Sequence, residues 1–445
     1  MSLANKSASY LTRDIFLFIT NLITSIVIAR NLGPEIMGIW IALNFIPAYV
    51  EMFGRTKIDI SSIYFLGKGK YEIGDVRNAL NLIASISGIL IITLIIIFLE
   101  NISITLFKEE FSLYTDYILL ISVVIPLNLF YLNYLYLHNS KEDVVSMNYM
   151  ILSRILTLSL VGIPGLIFFN FGVFHLVCCI IGSYIFALTV GVSRFEDSPR
   201  KGPFLNIKLL RDLFKYASNM YISGLFISLN SYIANTFVLL YGSASQITFY
   251  ALAQQFSYML LKIIDSMNVF VFPAVSKRKI EEAGEFISKA FRTATVIMIP
   301  VIFLSSLAIY PAIYFLYGEA FLPIVLPFLI LLLGILFSST SSSILMFFVG
   351  TGKPQIIAKI LIVPILIQLI ISPFAIPSFG IIGASGVLSL GMILSSIIQV
   401  IIFLNRSDQS FKKDLIFRKP DLIRITSFFK VFFANILRKK KFLSS

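Results

Sequence analysis

The chain has 445 residues, 58% of them hydrophobic and 13% charged, with a formal net charge of +13. A soluble domain carries about 25% charged residues, and a mean hydropathy of +0.90 marks a chain whose main solvent is lipid, so a string of soluble domains is excluded. The basic excess lies in alternate short loops rather than in stripes interleaved with aromatics, which excludes a nucleic-acid surface.

Twelve stretches are long and apolar enough to cross a bilayer. They run over residues 12–30, 37–54, 78–99, 114–137, 147–169, 171–193, 216–241, 247–273, 290–316, 321–349, 355–376 and 379–404. The first opens on Arg13 and Asp14 and has no small-residue cleavage site at a suitable distance, so it is expected to be a retained span, not a signal peptide. A turn, Asn31-Leu32-Gly33-Pro34, leads into the second stretch. That stretch carries Glu51 and Arg55 at i, i+4, and Asp59 continues the same face. It ends in Gly67-Lys68-Gly69-Lys70, which lacks the pattern of a phosphate loop.

Pro47, Pro126, Pro164, Pro300 and Pro364 fall inside stretches, as membranes tolerate when neighbouring helices or water satisfy the freed backbone groups. Cys178 and Cys179 are adjacent, so no disulfide framework is expected. His138 and His175 are isolated, and their spacing gives no metal site. The outer loops are short, and the longest, about Asn101 to Ser112, holds no catalytic cluster. In the eighth stretch Lys262 and Asp265 stand at i, i+3. Ser338–Ser343 in the tenth is read as a close-packing surface.

A Pro/Gly-broken segment between Arg194 and Lys215 divides the stretches into two groups of six. The expected organisation is a first six-helix lobe over 1–194, a cytoplasmic linker over 195–215, a second lobe over 216–404, and a basic amphipathic tail over 405–445. In the tail, Arg424, Ser427, Lys430, Asn435 and Arg438 alternate at helical spacing with Phe428, Phe429, Phe432 and Phe433, and Lys439-Lys440-Lys441 follow. This reads as a helix lying on anionic lipid of the inner leaflet.

All but Arg30, Lys108 and Lys262 of the 36 Lys and Arg fall on one side, counting span-edge residues with the nearest loop. This places both termini inside. The two halves repeat one another. Gly33/Gly242 and Asn21/Asn230 share one offset, and Trp40/Tyr250, Asn44/Gln254 and Glu72/Glu282 share an offset one residue longer. Both copies start inside, so the repeat is parallel, a known transporter plan.

Ionisable groups at bilayer depth are costly and usually face a bundle interior or a water-filled cavity. Glu51, Arg55, Lys262 and Asp265 fall at related depths in the two halves and are read as lining a cavity between them. Arg13, Arg30, Arg55 and Lys262 would meet an anionic ligand, arginine as a bidentate fork and lysine as a point charge. Asp14, Glu51 and Asp265 are the acids that could couple a proton or sodium gradient; no other cofactor is expected. Glu51–Arg55 and Lys262–Asp265 can also be intrahelical pairs that only neutralise each other, and Arg13, Asp14, Arg55 and Asp59 can lie at the inner interface with their heads at the lipid headgroups; both alternatives stay open.

The stretch Ala29-Arg30-Asn31-Leu32-Gly33-Pro34 with Gly38, then Trp40, Glu51, Gly54 and Leu66 to Lys70, resembles the Wzx-type oligosaccharide flippases of the multidrug/oligosaccharidyl-lipid/polysaccharide exporter (MOP) superfamily. The twelve-span, two-lobe, all-α plan fits as well. The resemblance implies a V-shaped cavity lined by spans one, two, seven and eight. It implies a lipid-diphosphate-linked oligosaccharide as cargo, O-antigen or capsule-like glycan as product, and the bacterial cytoplasmic membrane as location, with a glycan polymerase among the partners. The chain departs from the pattern in having Glu51 where Asp is frequent, and in pairing Lys262 with Asp265. A cation-coupled drug antiporter of the same fold and a glycan-modifying membrane enzyme are the alternatives. The first needs a carboxylate free of nearby cations and the second a catalytic cluster at a loop; neither stands out in the sequence.

Overall fold

Long apolar stretches can satisfy their backbone groups in lipid only as helices or closed barrels, and in the computed structural model every regular element among the described residues is helical. The structure describes residues 3–54, 58–107, 111–195, 206–276, 278–353, 355–407 and 409–415. Arg55, residues 196–205 of the expected linker and the tail beyond residue 415 lie outside the described residues.

The helices are α1 (Leu3–Gly54), α2 (Ile58–Gly67), α3 (Ile73–Ile97), α4 (Leu99–Phe107), α5 (Phe111–Ser122), α6 (Val124–Ser140) and α7 (Val144–Thr157). They continue as α8 (Ile163–Phe169), α9 (Val173–Ser193), α10 (Ile207–Tyr241), α11 (Ala244–Ser276), α12 (Ile280–Leu316), α13 (Val325–Gly350) and α14 (Gln355–Ser407). Among the described residues, nine helical stretches are long and apolar enough to cross a membrane. Every one of the expected spans falls on one of these or on α11. The exposed side chains include Ile89, Phe168, Phe315 and Phe374, each about 70% exposed, a surface suited to lipid rather than water. The chain is a multi-pass membrane protein.

Two long helices are bent pairs. α1 breaks at Gly33, with φ 71° and ψ 173°, a conformation open essentially only to glycine. α14 breaks at Gly380, with φ 56° and ψ −134°. Proline marks two other interruptions, since it cannot donate its backbone N–H. Pro126 sits in the first turn of α6, just past the turn at Val123. Pro164 starts α8 after the π-helical turn Leu158–Gly162. Asp143 caps α7 by accepting from Ser146 N at 3.1 Å, and Asn206 caps α10 by accepting from Leu209 N at 3.0 Å.

The chain forms two compact units. The first comprises residues 1–228 with 238–248 and 316–321. One of its cores gathers Val76, Leu80, Tyr131, Leu137, Met150 and Leu209. The second comprises 229–237, 249–315 and 322–445, with a core around Val275, Ile344, Phe347, Phe348, Ile360 and Phe403. In this unit small residues let backbones approach. A Cβ at Gly391 would overlap the buried Gln368 side chain, whose amide donates to Asn230 Oδ1 at 2.8 Å.

Candidate functional site

In the first unit, charges from two helices, α1 and α7, gather around two tyrosines. Arg13, near the start of α1, donates from Nη1 to Asn148 Oδ1 on α7 at 3.1 Å. Glu51, near the end of α1, accepts from Asn128 Nδ2 on α6 at 3.2 Å. Arg154 lies in the last turn of α7, within the apolar stretch Val144–Phe169. Its Nη1 donates to Tyr184 OH at 2.7 Å. Its guanidinium carbon lies 5.4 Å from the centre of the Tyr131 ring and 5.1 Å from that of Tyr184. Those two rings meet edge to face at 5.7 Å.

This arrangement has a physical logic. A guanidinium at bilayer depth needs either water or partners, and two aromatic faces plus a phenol supply part of that need. Glu51 supplies more, since its charge acts on Arg154, while that of Arg13 acts on Tyr131. Arg154 Nε is buried without a hydrogen-bond partner among the described residues. The cluster holds two guanidinium groups and one carboxylate, so its described charges favour an anion.

Arg154 is the residue that sequence reasoning missed. Counting it with the inner loop placed it at the membrane edge, whereas the structure places it against Tyr131 and Tyr184. The available signal was its position in an uninterrupted helical pattern from Val144, with apolar residues on either side.

The other expected site residues are dispersed. Asp14 lies in α1, but its side chain is outside the described residues, as is all of Arg55. Arg30 is exposed and donates from Nε to the Leu316 carbonyl at 2.7 Å. It belongs to a patch of the first unit where Thr248 Oγ1 donates to the Pro34 carbonyl at 2.6 Å and Tyr317 OH to Ser25 Oγ at 3.0 Å. A Cβ at Gly38 would overlap the Ala244 backbone, so this glycine is needed for contact. In the second unit, Lys262 Nζ lies 3.6 Å from Asp265 Oδ2, with the two side chains 81% and 54% exposed. Asn268, one turn on, is buried and bonded to Ser342 Oγ at 2.9 Å and Ser343 Oγ at 3.0 Å, so these two serines pack α13 to α11. Asp59, which continues the Glu51 face in the sequence, is buried at the start of α2.

A second polar cluster of the first unit lies outside the apolar stretches. Asp212 Oδ2 on α10 accepts from Lys70 Nζ at 2.6 Å and from Tyr71 OH at 2.5 Å. Those two hydrogen bonds hold the Asp212 carboxyl below the usual carboxylate range. The bond to Asp212 raises the Lys70 amine, and burial, then Asp212, raises the Tyr71 phenol. Beside them Tyr64 stacks on Tyr216 at 4.4 Å, and Lys68 Nζ donates to Tyr64 OH at 2.5 Å.

Residues 76–326 match the family described as "Polysaccharide biosynthesis protein". The fold is similar to that of an inward-facing multidrug resistance MATE family transporter of the MOP superfamily, with a TM-score of 0.73 and 14% identity over 88% of this chain and 94% of that one. It is similar to the lipid II flippase MurJ in an inward closed conformation, with a TM-score of 0.73 and 17% identity over 96% of this chain and 99% of that one. A MOP superfamily transporter from Pyrococcus furiosus is similar with a TM-score of 0.62 and 14% identity, over 90% and 94% of the two chains. No curated protein sequence matches the chain. At these identities the structural likenesses show the fold alone, one shared with these three proteins.

Proposed function

The chain belongs to the polysaccharide biosynthesis protein family, and from that premise we propose that it is a flippase carrying a lipid-diphosphate-linked oligosaccharide from the inner to the outer leaflet by alternating access. The product would serve surface glycan assembly, of the O-antigen or capsule type, at the bacterial cytoplasmic membrane. The side distribution of Lys and Arg supports cytoplasmic termini, and a glycan polymerase is the natural downstream partner.

The observation that carries this reading is the Arg13–Glu51–Arg154 cluster with Tyr131 and Tyr184, of which Arg154 and both tyrosines lie within apolar spanning stretches. Guanidinium groups recognise phosphate oxygens in bidentate fashion, and a tyrosine pairs an apolar face with a polar handle. Arg30, Arg55 and Lys262 are proposed as further cations along the route. Asp14, Glu51 and Asp265 are proposed as the groups that would take up a coupling proton or sodium ion. A drug antiporter of this fold would need a carboxylate open to a cation, and the electrostatic reach of Arg154 to Glu51 opposes that. Chemistry on the glycan is not proposed, since the solved structures this chain's fold is similar to are a MATE family transporter and a lipid II flippase.

The test is flipping of a labelled lipid-diphosphate-oligosaccharide in proteoliposomes. Arg154→Lys keeps the charge and loses the fork, and is expected to lower the rate by about tenfold, the equivalent of one lost charge-assisted hydrogen bond. Arg13→Gln is expected to act in the same direction. Wild-type rates in both variants, at equal reconstituted protein, would sink the proposal.

A further inference from the structure

In the first unit Glu51 and Arg13 each meet a neutral amide. Asn128 on α6 is buried and donates from Nδ2 to Glu51 Oε2 at 3.2 Å. Asn148 on α7 is half-buried, and its Oδ1 accepts from Arg13 Nη1 at 3.1 Å. A guanidinium only donates and an ionised carboxylate only accepts, so each partner fixes which end of the amide it meets. Both asparagines lie in apolar spanning stretches, where an amide is costly unless it is bonded.

The two amides stand on the helices that carry the rest of the cluster. Asn128 and Tyr131 are neighbours on one face of α6, at i, i+3. The helix that sets the Tyr131 ring against Arg154 therefore also sets a donor against Glu51. Asn148 precedes Arg154 on α7 by six residues, about 9 Å along the axis. Arg13 and Glu51 come from opposite ends of α1, which bends at Gly33, so α6 and α7 hold one end each. An amide does this without changing the charge. The described cluster has two guanidinium groups and one carboxylate, and aspartate at either amide position would bring it to two of each.

Resting on the flippase reading above, we propose that Asn128 and Asn148 are positioning residues for the diphosphate of the cargo. They fix Glu51 and Arg13 while leaving the cluster cationic. Asn148 aims the Arg13 guanidinium, and Asn128 aims the carboxylate whose charge acts on Arg154. Neither asparagine touches the cargo; each acts through the charged group that it holds.

The experiment measures flipping of a labelled lipid-diphosphate-oligosaccharide by the full-length protein in proteoliposomes, per folded protein and over a range of cargo densities, beside the melting temperature in detergent. Asn148→Asp keeps an acceptor for Arg13 and adds a negative charge. It is expected to keep the wild-type melting temperature or exceed it, yet to raise the cargo density for half-maximal rate about tenfold, the equivalent of one lost charge-assisted hydrogen bond. A purely structural role predicts the reverse, since Arg13 is still held. Asn128→Leu has nearly the same volume and no donor. It is expected to raise the half-maximal density in the same direction, with the maximal rate little changed, and it carries the test if Asn148→Asp does not fold. A wild-type half-maximal density in either folded variant, beside a wild-type chain that flips the cargo, overturns this proposal alone. A wild-type chain that flips none overturns the flippase reading and the proposal with it.

Discussion

Lys70 and Asp212, far apart in sequence, meet at 2.6 Å, and Tyr71 donates to the same carboxylate oxygen at 2.5 Å. The contact ties the turn between α2 and α3 to the first turns of α10. Its strength should depend on pH from both sides. The Asp212 carboxyl is lowered, so its contribution is present above the unfolded-state value and lost as pH falls through the folded one. The Lys70 amine is raised, so its contribution is present below its unfolded value and lost as pH rises through the folded one. Asp212→Asn should therefore lower the melting temperature in detergent near neutral pH and leave it nearly unchanged at strongly acid pH. An equal drop at both would assign the effect to packing.

Gly33 and Gly38 belong to one motif and do different work. Gly33 holds a left-handed φ of 71° at the bend in α1, so Gly33→Ala should cost about 1–3 kcal/mol of backbone strain. Gly38 has open-helix geometry, but a Cβ there would overlap the Ala244 backbone. Gly38→Ala must push two backbones apart and should reduce folded protein more than Gly33→Ala, as read by monodisperse yield in detergent. The reverse order would show that the α1 bend, and not the close approach, limits folding.

Lys262 and Asp265 form an exposed i, i+3 pair, and such pairs contribute about 0.2–0.5 kcal/mol. Lys262→Ala should therefore leave thermal stability almost unchanged. Any loss of glycan export in that variant would report on transport itself. Unchanged export would confine the pair to mutual neutralisation.

The spans were legible in the sequence because lipid demands long apolar runs, and the breaks at Gly33 and Pro126 were legible because glycine and proline have distinct backbone rules. The Lys262–Asp265 contact was legible as well, being fixed by helical spacing alone. Arg154 was not. Its environment is made by Tyr131 on α6 and Tyr184 on α9, and no local pattern announces which residues a helix will meet. The same holds for Asp212, whose neighbours Lys208 and Arg211 suggest only a solvated basic face. Arg30 shows the converse. Its motif was conspicuous, yet its described bond is to a backbone carbonyl, at Leu316, which sequence spacing cannot reveal.

Asp143 joins two elements. One oxygen caps α7 through Ser146 N at 3.1 Å, and the other lies 3.2 Å from His138 Nδ1. His138 is buried, and its Nε2 donates to the Gly191 carbonyl at 2.9 Å. Burial alone would raise the Asp143 carboxyl, but the bonds from Ser146 and the charge of His138 outweigh it and lower it. Stability from this carboxylate should be lost as pH falls through its folded value. Asp143→Ala should cost about 0.5–2 kcal/mol, the usual loss of a helix cap. Asp143→Asn keeps a capping oxygen and should cost less. Equal costs would mean that the carboxylate charge facing His138, which both variants lose, carries the effect.

Tyr184 offers the cleanest probe of the half-buried Arg154 because its hydroxyl can be removed without opening a cavity. Tyr184→Phe deletes the 2.7 Å bond to Arg154 Nη1 and keeps the ring beneath the guanidinium. Hydrogen bonds inside membrane bundles average about 0.6 kcal/mol, and those to charged groups about 1.5–3 kcal/mol. The charged value should govern here, because Arg154 Nε already lacks a partner among the described residues. A loss near the upper range, measured by reversible unfolding in mixed micelles, would mean that the guanidinium depends on the phenol. A loss below about 0.6 kcal/mol would mean that Glu51 or water supports Arg154 instead. In that case Glu51→Gln should prove the more damaging of the two changes, both to stability and to flipping.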